Sequence, residues 1–146
     1  MMIQIRDATE ADIPQILEIE QEAISPPWMH STLLREIYNE DALFIVAADE
    51  CSTCGFAILR QVGDDGELLQ IAVCKSKRGG GIGGLLMKYV LGYAAEKTLS
   101  SVFLEVRKSN TAAVRLYEEH GFKSIRTRKA YYTDPIEDAS VMMKHI

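Results

Sequence analysis

The sequence has no apolar run of the roughly 18 residues that a membrane-spanning helix requires. Its first residues, MMIQIRDATEAD, lack the basic stretch followed by an apolar stretch that marks a secretory signal. The sequence also lacks a basic excess, because 16 lysines and arginines stand against 21 aspartates and glutamates, for a net charge of −5. Such a balance disfavours a general nucleic-acid binder. We therefore expect a cytoplasmic protein that binds neither membranes nor nucleic acid directly.

Cysteine and histidine are also scarce, with three of each. Cys51 and Cys54 form a C-x-x-C pair, but the second pair that a structural zinc site needs is missing. The surrounding DECSTCG is typical of a turn between two strands, so we interpret these thiols as turn residues. The odd number of cysteines argues against a disulfide framework, and the histidines show no metal-ligand spacing. The sequence therefore predicts no metal site.

What the chain does contain is a regular succession of strand-like and helix-like segments. Runs rich in β-branched and aromatic residues predict strands, and apolar residues spaced three and four apart predict helices. The predicted strands cover residues 3–6, 42–49, 55–62, 67–73, 101–106, 122–128 and 138–146, and the predicted helices cover residues 9–24, 31–39, 82–97 and 110–121. This order, β-α-α-β-β-β-α-β-α-β-β, and the length of 146 residues predict one mixed α/β domain over residues 1–146.

Five of the ten glycines fall within residues 79–84, in the stretch RGGGIGG between a predicted strand and a predicted helix. A phosphate-binding P-loop would need Lys followed by Ser or Thr after the last glycine, where two leucines stand. Gly79, Gly81 and Gly84 do fit the G-x-G-x-x-G of dinucleotide-binding turns. That fold needs further β-α-β units and an acidic residue at the end of the next strand, yet only ~60 residues remain and Glu105 lies inside its strand.

A third interpretation of the glycines is a cradle for a pyrophosphate group. Arg78, Gly81 and Gly83 fit the pattern Arg/Gln-x-x-Gly-x-Gly/Ala. The N–H groups at a helix N-terminus have no intrahelical partner, and the helix dipole favours negative charge there. Glycine also lets a ligand approach the backbone closely. A flexible surface loop is the alternative, but glycines in the first helical turn cost stability, which favours a ligand or a close backbone contact.

With these features the sequence resembles the GCN5-related N-acetyltransferase (GNAT) family. The strand LLQIAV, the turn RGGGIG and the following helix are similar to the acetyl-CoA-binding core of that family, and LEVRKSNTAAVRLYEEHGF is similar to the segment after it. The resemblance covers nearly the whole chain and is strongest over residues 68–122. It implies a single mixed, mostly antiparallel sheet flanked by helices, with acetyl-CoA as the acetyl donor.

A narrower resemblance is to the RimI-like subgroup of this family, in the segments IEQEAISPPW, FLEVRKSNTAAVRLYEEHGF and RKAYYTDPIEDASVMMK. That subgroup acetylates the N-terminal amine of a ribosomal protein, an alanine in the bacterial type. The resemblance implies acetyl transfer from acetyl-CoA to the N-terminal α-amine of an acceptor protein, with a ribosomal protein as the candidate partner. Gly79 and Gly80 stand where the subgroup often has longer polar side chains, so a phosphate contact there would come from the backbone.

Acetyl transfer from a thioester to an amine needs a base, a donor to the oxyanion and a proton for the departing thiolate. Glu105 is the candidate base, because alternation in SVFLEVR places it with Phe103 on one face of the strand. A carboxylate in an apolar strand is costly unless it is paired or useful, and an exposed glutamate on an edge strand is the alternative. Tyr117 is the candidate acid, since a phenol with an ordinary pKa near ~10 can protonate a thiolate. Packing of its helix onto the sheet is the other role open to Tyr117.

The remaining site residues follow from the resemblance and from their places in the predicted elements. Asn110 is expected to cap its helix and, by the resemblance, to contact acetyl-CoA. The strand backbone is expected to hold the pantetheine arm, with the Val73 N–H directed at the thioester oxygen. Trp28, Tyr131 and Tyr132 are expected to line the acceptor pocket, although such aromatics also cover cores. The expected acetyl-CoA-binding residues are Ile71, Ala72, Val73, Arg78, Gly79, Gly80, Gly81, Ile82, Gly83, Gly84, Asn110, Ala113 and Tyr117.

Two rival functions stay open on the sequence alone. The first keeps the acetyltransferase and changes the acceptor to a lysine side chain or a small-molecule amine. An α-amine, with an ordinary pKa of ~7.7–8.0, is easier to deprotonate at neutral pH than a lysine at ~10.4, which favours the N-terminal acceptor. The second rival is a non-catalytic module that binds acyl-CoA as a sensor.

Overall fold

Seven strands and four α-helices make up the computed structural model, which describes residues 2–146. The strands are β1 (Gln4–Asp7), β2 (Ala42–Ala48), β3 (Thr53–Val62), β4 (Asp65–Val73), β5 (Ser101–Arg107), β6 (Lys123–Tyr132) and β7 (Glu137–His145). The helices are α1 (Ile13–Ala23), α2 (His30–Ile37), α3 (Ile82–Glu96) and α4 (Thr111–Glu119). The order of strands and helices predicted from the sequence is confirmed.

The largest departures from the predicted boundaries are at α1, which begins at Ile13 after a short 3-10 helix over Glu10–Asp12, and at β6, which continues past residue 128 to Tyr132. Its pairing with β7 resumes at Tyr132 and Glu137 after an irregular stretch in which Ala130 has a φ of 51°. Apolar alternation could not predict this extension, because β6 lies at the edge of the sheet and most of its side chains are exposed. The extension places the Tyr131 hydroxyl 3.5 Å from a carboxylate oxygen of Glu105 on β5.

All seven strands join one sheet in the order β1-β2-β3-β4-β5-β7-β6. Neighbouring strands are antiparallel except for β4 and β5, which are parallel and are connected through α3. A parallel pair needs such a crossover, whereas antiparallel pairs need only a turn. The sheet is thus mixed, mostly antiparallel and flanked by helices, and the expected fold class is confirmed.

The two parallel strands separate halfway along their length. β4 and β5 pair only over their first halves, residues 65–68 with residues 101–104. On its other side β4 pairs with β3, and there Leu69 is an extra residue between the partners of Leu59 and Ile58. Such a β-bulge bends its strand and increases the local twist. Beyond the bulge, β4 turns away from β5 and leaves a gap in the sheet.

The sheet is covered on both faces, and each face has its own apolar core. On one face α3 and α4 pack on the strands, and Leu86 of α3 belongs to the same buried cluster as Leu104 of β5. On the other face α1 and α2 contribute Ile16 and Leu33, which pack with Phe56. Burial of one such side chain contributes about 1.5–3 kcal/mol. The two cores therefore hold the sheet, and the gap between β4 and β5, in a fixed shape.

Candidate active site

The gap between β4 and β5 opens into a cleft of about 1110 Å³. Its walls come from the segment between α1 and α2, the second half of β4 with the turn into α3, the second half of β5 with α4, and the end of β6. The structure brings every predicted site residue except Gly80 to this cleft. Gly80 belongs to the same turn but is not among the lining residues.

One end of the cleft, called here the donor end, is formed by β4, the glycine turn, the start of α3 and the start of α4. Gly81 is the N-cap of α3, with φ 87° and ψ 3°, a left-handed conformation that glycine adopts readily. Among residues 2–146 no side chain caps this helix. The first N–H groups of α3, at residues 82–84, are therefore available to bind an anion. The predicted pyrophosphate cradle fits this geometry.

The glycines of the turn serve different structural purposes. A Cβ at Gly79 or Gly81 would have no described atom within 4 Å apart from those of the adjoining residues in the chain, and both positions line the cleft. A Cβ at Gly83 would lie 3.4 Å from the side chain of Leu116 in α4. Gly83 therefore permits a close contact between α3 and α4, whereas Gly79 and Gly81 leave room for a ligand.

The second half of β4 directs backbone groups into the donor end. The Cys74 N–H donates to the Cys54 carbonyl of β3 at 2.7 Å. Because backbone groups alternate between the two sides of an antiparallel strand, those of Ile71 and Val73 face the cleft. Arg78 donates from Nε to the Val73 carbonyl at 3.1 Å, which holds the glycine turn to the end of β4. An extended ligand such as a pantetheine arm could pair with this edge as a strand would.

The start of α4 completes the donor end. Asn110 is the N-cap of α4, and its side chain accepts a hydrogen bond from the Ala113 N–H at 3.2 Å. The predicted capping role is confirmed, while a contact with acetyl-CoA stays a prediction. Gly121 follows the end of the helix with a φ of 91°, a left-handed conformation typical of a glycine at a helix C-terminus. Ala113 and Tyr117, one turn apart, both line the cleft.

Tyr117 is buried and packs its ring on Phe122 with a centroid separation of 6.0 Å. The expected packing role is therefore confirmed. Its hydroxyl has no hydrogen-bond partner in the described part of the chain, although the residue lines the cleft. Burial, together with the nearby Tyr132, raises the pKa of Tyr117 well above its usual range. The phenol is thus protonated at neutral pH, and its raised pKa makes it a weaker acid than a free tyrosine.

Glu105 lies on β5 at the other end of the cleft, called here the acceptor end. Leu104 and Val106 belong to the core, whereas Glu105 is half-buried on the opposite face, as alternation predicted. Its carboxylate accepts hydrogen bonds from Nη1 of Arg128 at 3.0 Å and from the Tyr131 hydroxyl at 3.5 Å. The alternative of an edge-strand glutamate is wrong, because β5 lies between β4 and β7.

Aromatic side chains line this end of the cleft, and their contact with an acceptor stays a prediction. Trp28 is half-buried and packs on the core beneath α1, so it lines the cleft and covers the core at once. Tyr131 and Tyr132 meet edge to face with centroids 5.0 Å apart. Burial, with a further contribution from Glu105, raises the pKa of Tyr132 to about 12. The acceptor end therefore combines a carboxylate with an apolar, aromatic surface.

Residues 13–122 match the family model described as the acetyltransferase (GNAT) family. The chain belongs to the GNAT acetyltransferase family. Membership confirms the predicted enzyme class, an N-acetyltransferase that uses acetyl-CoA as its donor. The donor end, with its open helix N-terminus and its free strand edge, is suited to that co-substrate.

The chain is also similar to individual members of the family over nearly its whole length. The ribosomal protein bS18-alanine N-acetyltransferase of Haemophilus influenzae is 37% identical over 134 residues, which are 90% of this chain and 90% of the relative. The enzyme of the same name from Escherichia coli K12 is 33% identical over 143 residues, 97% of this chain and 96% of the relative. The crystal structure of the ribosomal-protein-S18-alanine N-acetyltransferase from Escherichia coli has a TM-score of 0.91 at 33% identity, over 99% of this chain and 94% of that one. The resemblance to the RimI-like subgroup is therefore confirmed.

Residues 2–146 contain neither a helix that could cross a membrane nor a group of side chains that could hold a metal ion. No helix there has both the length and the apolar character needed to cross a membrane. No group of three or more His, Cys, Asp or Glu side chains there could hold a metal ion. The cysteines are free, with Cys51 exposed in the turn before β3 and Cys54 buried in that strand.

Four residues near the cleft were not predicted from the sequence: Arg128, Arg107, Glu20 and Gln70. Arg107 follows Glu105 by two positions and so shares its face of β5, which was an available signal. Glu20 falls on the apolar stripe of α1, where an acidic residue is unusual. Nothing in the sequence pairs Arg128 with Glu105, because the pairing depends on the arrangement of three strands.

Glu20 lies fully buried behind the acceptor end. Its Oε1 accepts a hydrogen bond from the Trp28 N–H at 3.2 Å. Its Oε2, like Oε1 of Gln70, has no hydrogen-bond partner among the described residues. Burial raises the pKa of Glu20 to about 7, against the opposing effects of Trp28 and Gln70. This carboxyl group therefore titrates near neutrality while it holds the segment that carries Trp28.

We expect the substitution Glu20→Gln to remove a pH-dependent loss of stability. The carboxyl group ionises near 4.5 in the unfolded chain but keeps its proton until about 7 in the folded chain. The folded state therefore binds more protons between these values, and the free energy of unfolding of the wild type falls as pH rises through this window, by roughly 3 kcal/mol in total. Urea unfolding at several pH values measures the effect, and the variant should gain stability relative to wild type from pH 4.5 to 7.

Glu18→Gln is the matched control, because Glu18 is exposed on the same helix. Its stability should differ from that of the wild type by the same small amount at every pH. If Glu20→Gln behaved in the same way, the idea that Glu20 is buried as a neutral group would be refuted.

Proposed function

We propose that the chain transfers the acetyl group of acetyl-CoA to the N-terminal α-amine of a protein, with the N-terminal alanine of ribosomal protein bS18 as the acceptor. This proposal rests on one observation: a single cleft has a helix N-terminus that can bind phosphate groups at its donor end and the carboxylate of Glu105 at its acceptor end. The relatives whose names state this acceptor are 33% and 37% identical to the chain. We further propose that residues 1–146 form one N-acetyltransferase domain that acts in the cytoplasm.

At the donor end, the N–H groups of residues 82–84 bind the pyrophosphate, and the β4 edge binds the pantetheine arm. Asn110 and Ala113 contact the bound molecule from the start of α4. Acetyl-CoA supplies an acetyl group already activated as a thioester. The Val73 N–H, which faces the cleft, donates a hydrogen bond to the thioester oxygen. Such a fixed donor stabilises the negative charge that develops on that oxygen during acyl transfer.

At the acceptor end, Glu105 is the general base. The incoming ammonium must lose a proton before its nitrogen can attack the thioester carbon, and the Glu105 carboxylate takes that proton directly or through a water molecule. Arg128 and Tyr131 hold the carboxylate in place through their hydrogen bonds. An α-amine, with an ordinary pKa of ~7.7–8.0, suits a carboxylate base better than a lysine at ~10.4.

Tyr117 is the general acid that protonates the departing thiolate of coenzyme A. Tyr117 lines the cleft, and its phenol passes its proton to the sulfur as the carbon–sulfur bond breaks. Replacement by phenylalanine should lower kcat by about 10²-fold, at the low end of acid–base effects, because a thiolate is already a tolerable leaving group. The KM for acetyl-CoA should stay close to the wild-type value, since phenylalanine retains the packing on Phe122. Steady-state measurement of coenzyme A release gives both constants.

A matched control for this substitution is Tyr93→Phe. Tyr93 lies on α3 beneath Lys97 and does not line the cleft. Removal of its hydroxyl should leave turnover unchanged. Wild-type turnover by the Tyr117→Phe variant as well would reduce Tyr117 to a packing residue.

The acceptor is tested with peptides that begin with alanine. The protein is incubated with acetyl-CoA and with each peptide in two forms, one with a free N-terminus and one with a blocked N-terminus, and coenzyme A release is followed. Turnover only with the free N-terminus is the expected result. Mass spectrometry of the product should place one acetyl group on the α-nitrogen.

Other outcomes of this experiment assign other functions. Turnover that persists with a blocked, lysine-containing peptide would move the acceptor to the lysine side chain. Turnover with polyamines but with no peptide would indicate a small-molecule acceptor. Acetyl-CoA binding without turnover on any amine would contradict the enzymatic proposal and favour a sensor.

A further inference from the structure

Arg107, on the same strand as Glu105, donates four hydrogen bonds from its guanidinium group. Its Nη2 donates to the carbonyls of Ser25 at 3.0 Å and Thr133 at 3.1 Å. Its Nη1 donates to the Pro135 carbonyl at 3.0 Å and to the Glu137 carboxylate at 3.4 Å. A guanidinium group carries five N–H donors in a rigid plane, so it can hold several acceptors in fixed directions.

These contacts join three parts of the chain that are far apart in sequence. Ser25 lies in the segment between α1 and α2, and residues 133–135 lie in the turn between β6 and β7. The Ser25 hydroxyl also donates to the Asp134 carbonyl at 3.2 Å, so the two segments touch directly. We call the Arg107 side chain together with these two segments the loop bridge. Only 16% of the Arg107 side chain is exposed, so solvent competes weakly for its donors.

The loop bridge adjoins the side chains that line the acceptor end. Trp28 follows Ser25 by three residues and lines the cleft together with Thr133. Tyr132, at the end of β6, lies under the Arg107 guanidinium, 4.4 Å from its carbon to the ring centroid. Arg107 itself belongs to β5, two residues beyond Glu105. One side chain therefore ties both walls of the acceptor end to the strand that carries the base.

Besides Arg107, the Glu20 carboxyl group holds the α1–α2 segment through the Trp28 N–H, but this bond does not reach the β6–β7 turn. The residues at 25–27 and 133–136 are exposed, and segments with few buried contacts open at low free-energy cost. The described hydrogen bond between the two exposed segments is the one from the Ser25 hydroxyl to the Asp134 carbonyl, so a shared anchor is needed if the space between them is to keep one width. The three carbonyls that Arg107 binds belong to those tips.

We propose that Arg107 is a positioning residue for the acceptor, which sets the width of the acceptor end by holding the α1–α2 segment and the β6–β7 turn against β5. This inference rests on the proposed function, because the acceptor chain would enter between those two segments. A bound amine would meet Glu105 at the correct distance only while both walls are held. Small errors of placement are costly in such a reaction, since a displacement of about 1 Å can lower a rate by 10²-fold.

The test uses Arg107→Gln and Arg107→Lys in the full chain. We expect both substitutions to raise the KM for the alanine peptide by about tenfold or more and to leave the Kd for acetyl-CoA near the wild-type value. Lysine keeps the charge but cannot reach three carbonyls in one plane, so it should not restore the KM. A KM restored by lysine would show that charge alone suffices, and an unchanged KM in both variants would overturn the proposal.

A second readout does not depend on the acceptor. Trp28 is the only tryptophan in the chain and lies in the segment that the bridge holds. Acrylamide should quench its fluorescence more strongly in both Arg107 variants than in the wild type. The measurement is made at temperatures at which thermal unfolding curves show each variant to be folded. Quenching that matches the wild type in both variants would also overturn the proposal.

Arg60→Gln is the matched control, because Arg60 pairs with the buried Glu36 and lies outside the cleft. It should lower stability without any change in acceptor KM or Trp28 quenching. If the wild type acetylates no N-terminus, the proposed function fails, and the KM for the amine that it does accept replaces that of the peptide. The Trp28 readout still decides whether Arg107 holds the bridge, so the two failures are distinguishable.

Discussion

Glu105→Gln should lower kcat at pH 7 by roughly 10²–10⁴-fold, the range that general base catalysis contributes. Glutamine has nearly the same shape and can still accept the Tyr131 hydrogen bond, but its amide cannot take up a proton. Because the donor end is built from β4, the glycine turn and α4, the Kd for acetyl-CoA should stay nearly unchanged. Steady-state turnover of the alanine peptide and calorimetric titration with acetyl-CoA measure these two quantities.

The pH profile separates a missing base from a misplaced side chain. Without the carboxylate, the Glu105→Gln variant depends on the fraction of acceptor that is already neutral, which rises about tenfold per pH unit below ~7.7–8.0. Its deficit relative to the wild type should therefore shrink from pH 6 to pH 9. A deficit that stays constant over this range would remove Glu105 from the role of base. Glu118→Gln is the matched control, because Glu118 is exposed on α4 outside the cleft.

Gly81→Val should raise the Kd for acetyl-CoA by tenfold or more. Valine disfavours the φ of 87° that Gly81 adopts as the N-cap of α3. A left-handed conformation costs an ordinary residue roughly 1–2 kcal/mol, and a β-branched residue more. If the backbone relaxes to a negative φ, the N–H groups of residues 82–84 no longer point at one anion. If it does not relax, the valine methyl groups occupy space in the cleft that belongs to the ligand.

Gly63→Val is a close control for this substitution. Gly63 also has a positive φ, 62°, and a Cβ there would likewise have no described atom within 4 Å apart from those of the adjoining residues in the chain. It lies in the turn between β3 and β4, outside the cleft. Both variants should lose thermal stability, but only Gly81→Val should lose affinity in titrations with acetyl-CoA. Equal affinity in the two variants would show that the pyrophosphate cradle is not at Gly81.

Local patterns explain why much of the fold was predictable. The alternation in SVFLEVR placed Leu104 in the core and Glu105 on the other face, because a strand directs successive side chains to opposite sides. Asn110 marked the start of α4, since a capping side chain is a local requirement of a helix N-terminus. In each case the physical cause lies within a few residues of its effect.

The features that shape the acceptor end have no such local cause. The bulge at Leu69 falls in the apolar run ELLQIAV, which contains no alternation that an extra residue could interrupt. The Arg107 contacts join positions as far apart as 25 and 135. The burial of Glu20 depends on the α1–α2 segment folding back over its helix. These features could be found only once the strands were assembled, and the catalytic roles of Glu105 and Tyr117 stay predictions.

The position of β6 also has a consequence for how copies of this chain behave beside one another in solution. In the described chain one side of β6 carries no neighbouring strand, and such an edge can recruit a strand from another molecule and begin aggregation. The edge is rich in positive charge, because Lys123, Arg126, Arg128 and Lys129 are all exposed along it. Two copies that met edge to edge would repel each other, and the irregular pairing of β6 twists the edge away from a flat template. The strand that brings Tyr131 to the cleft is therefore a poor template for edge-to-edge strand pairing with a second copy.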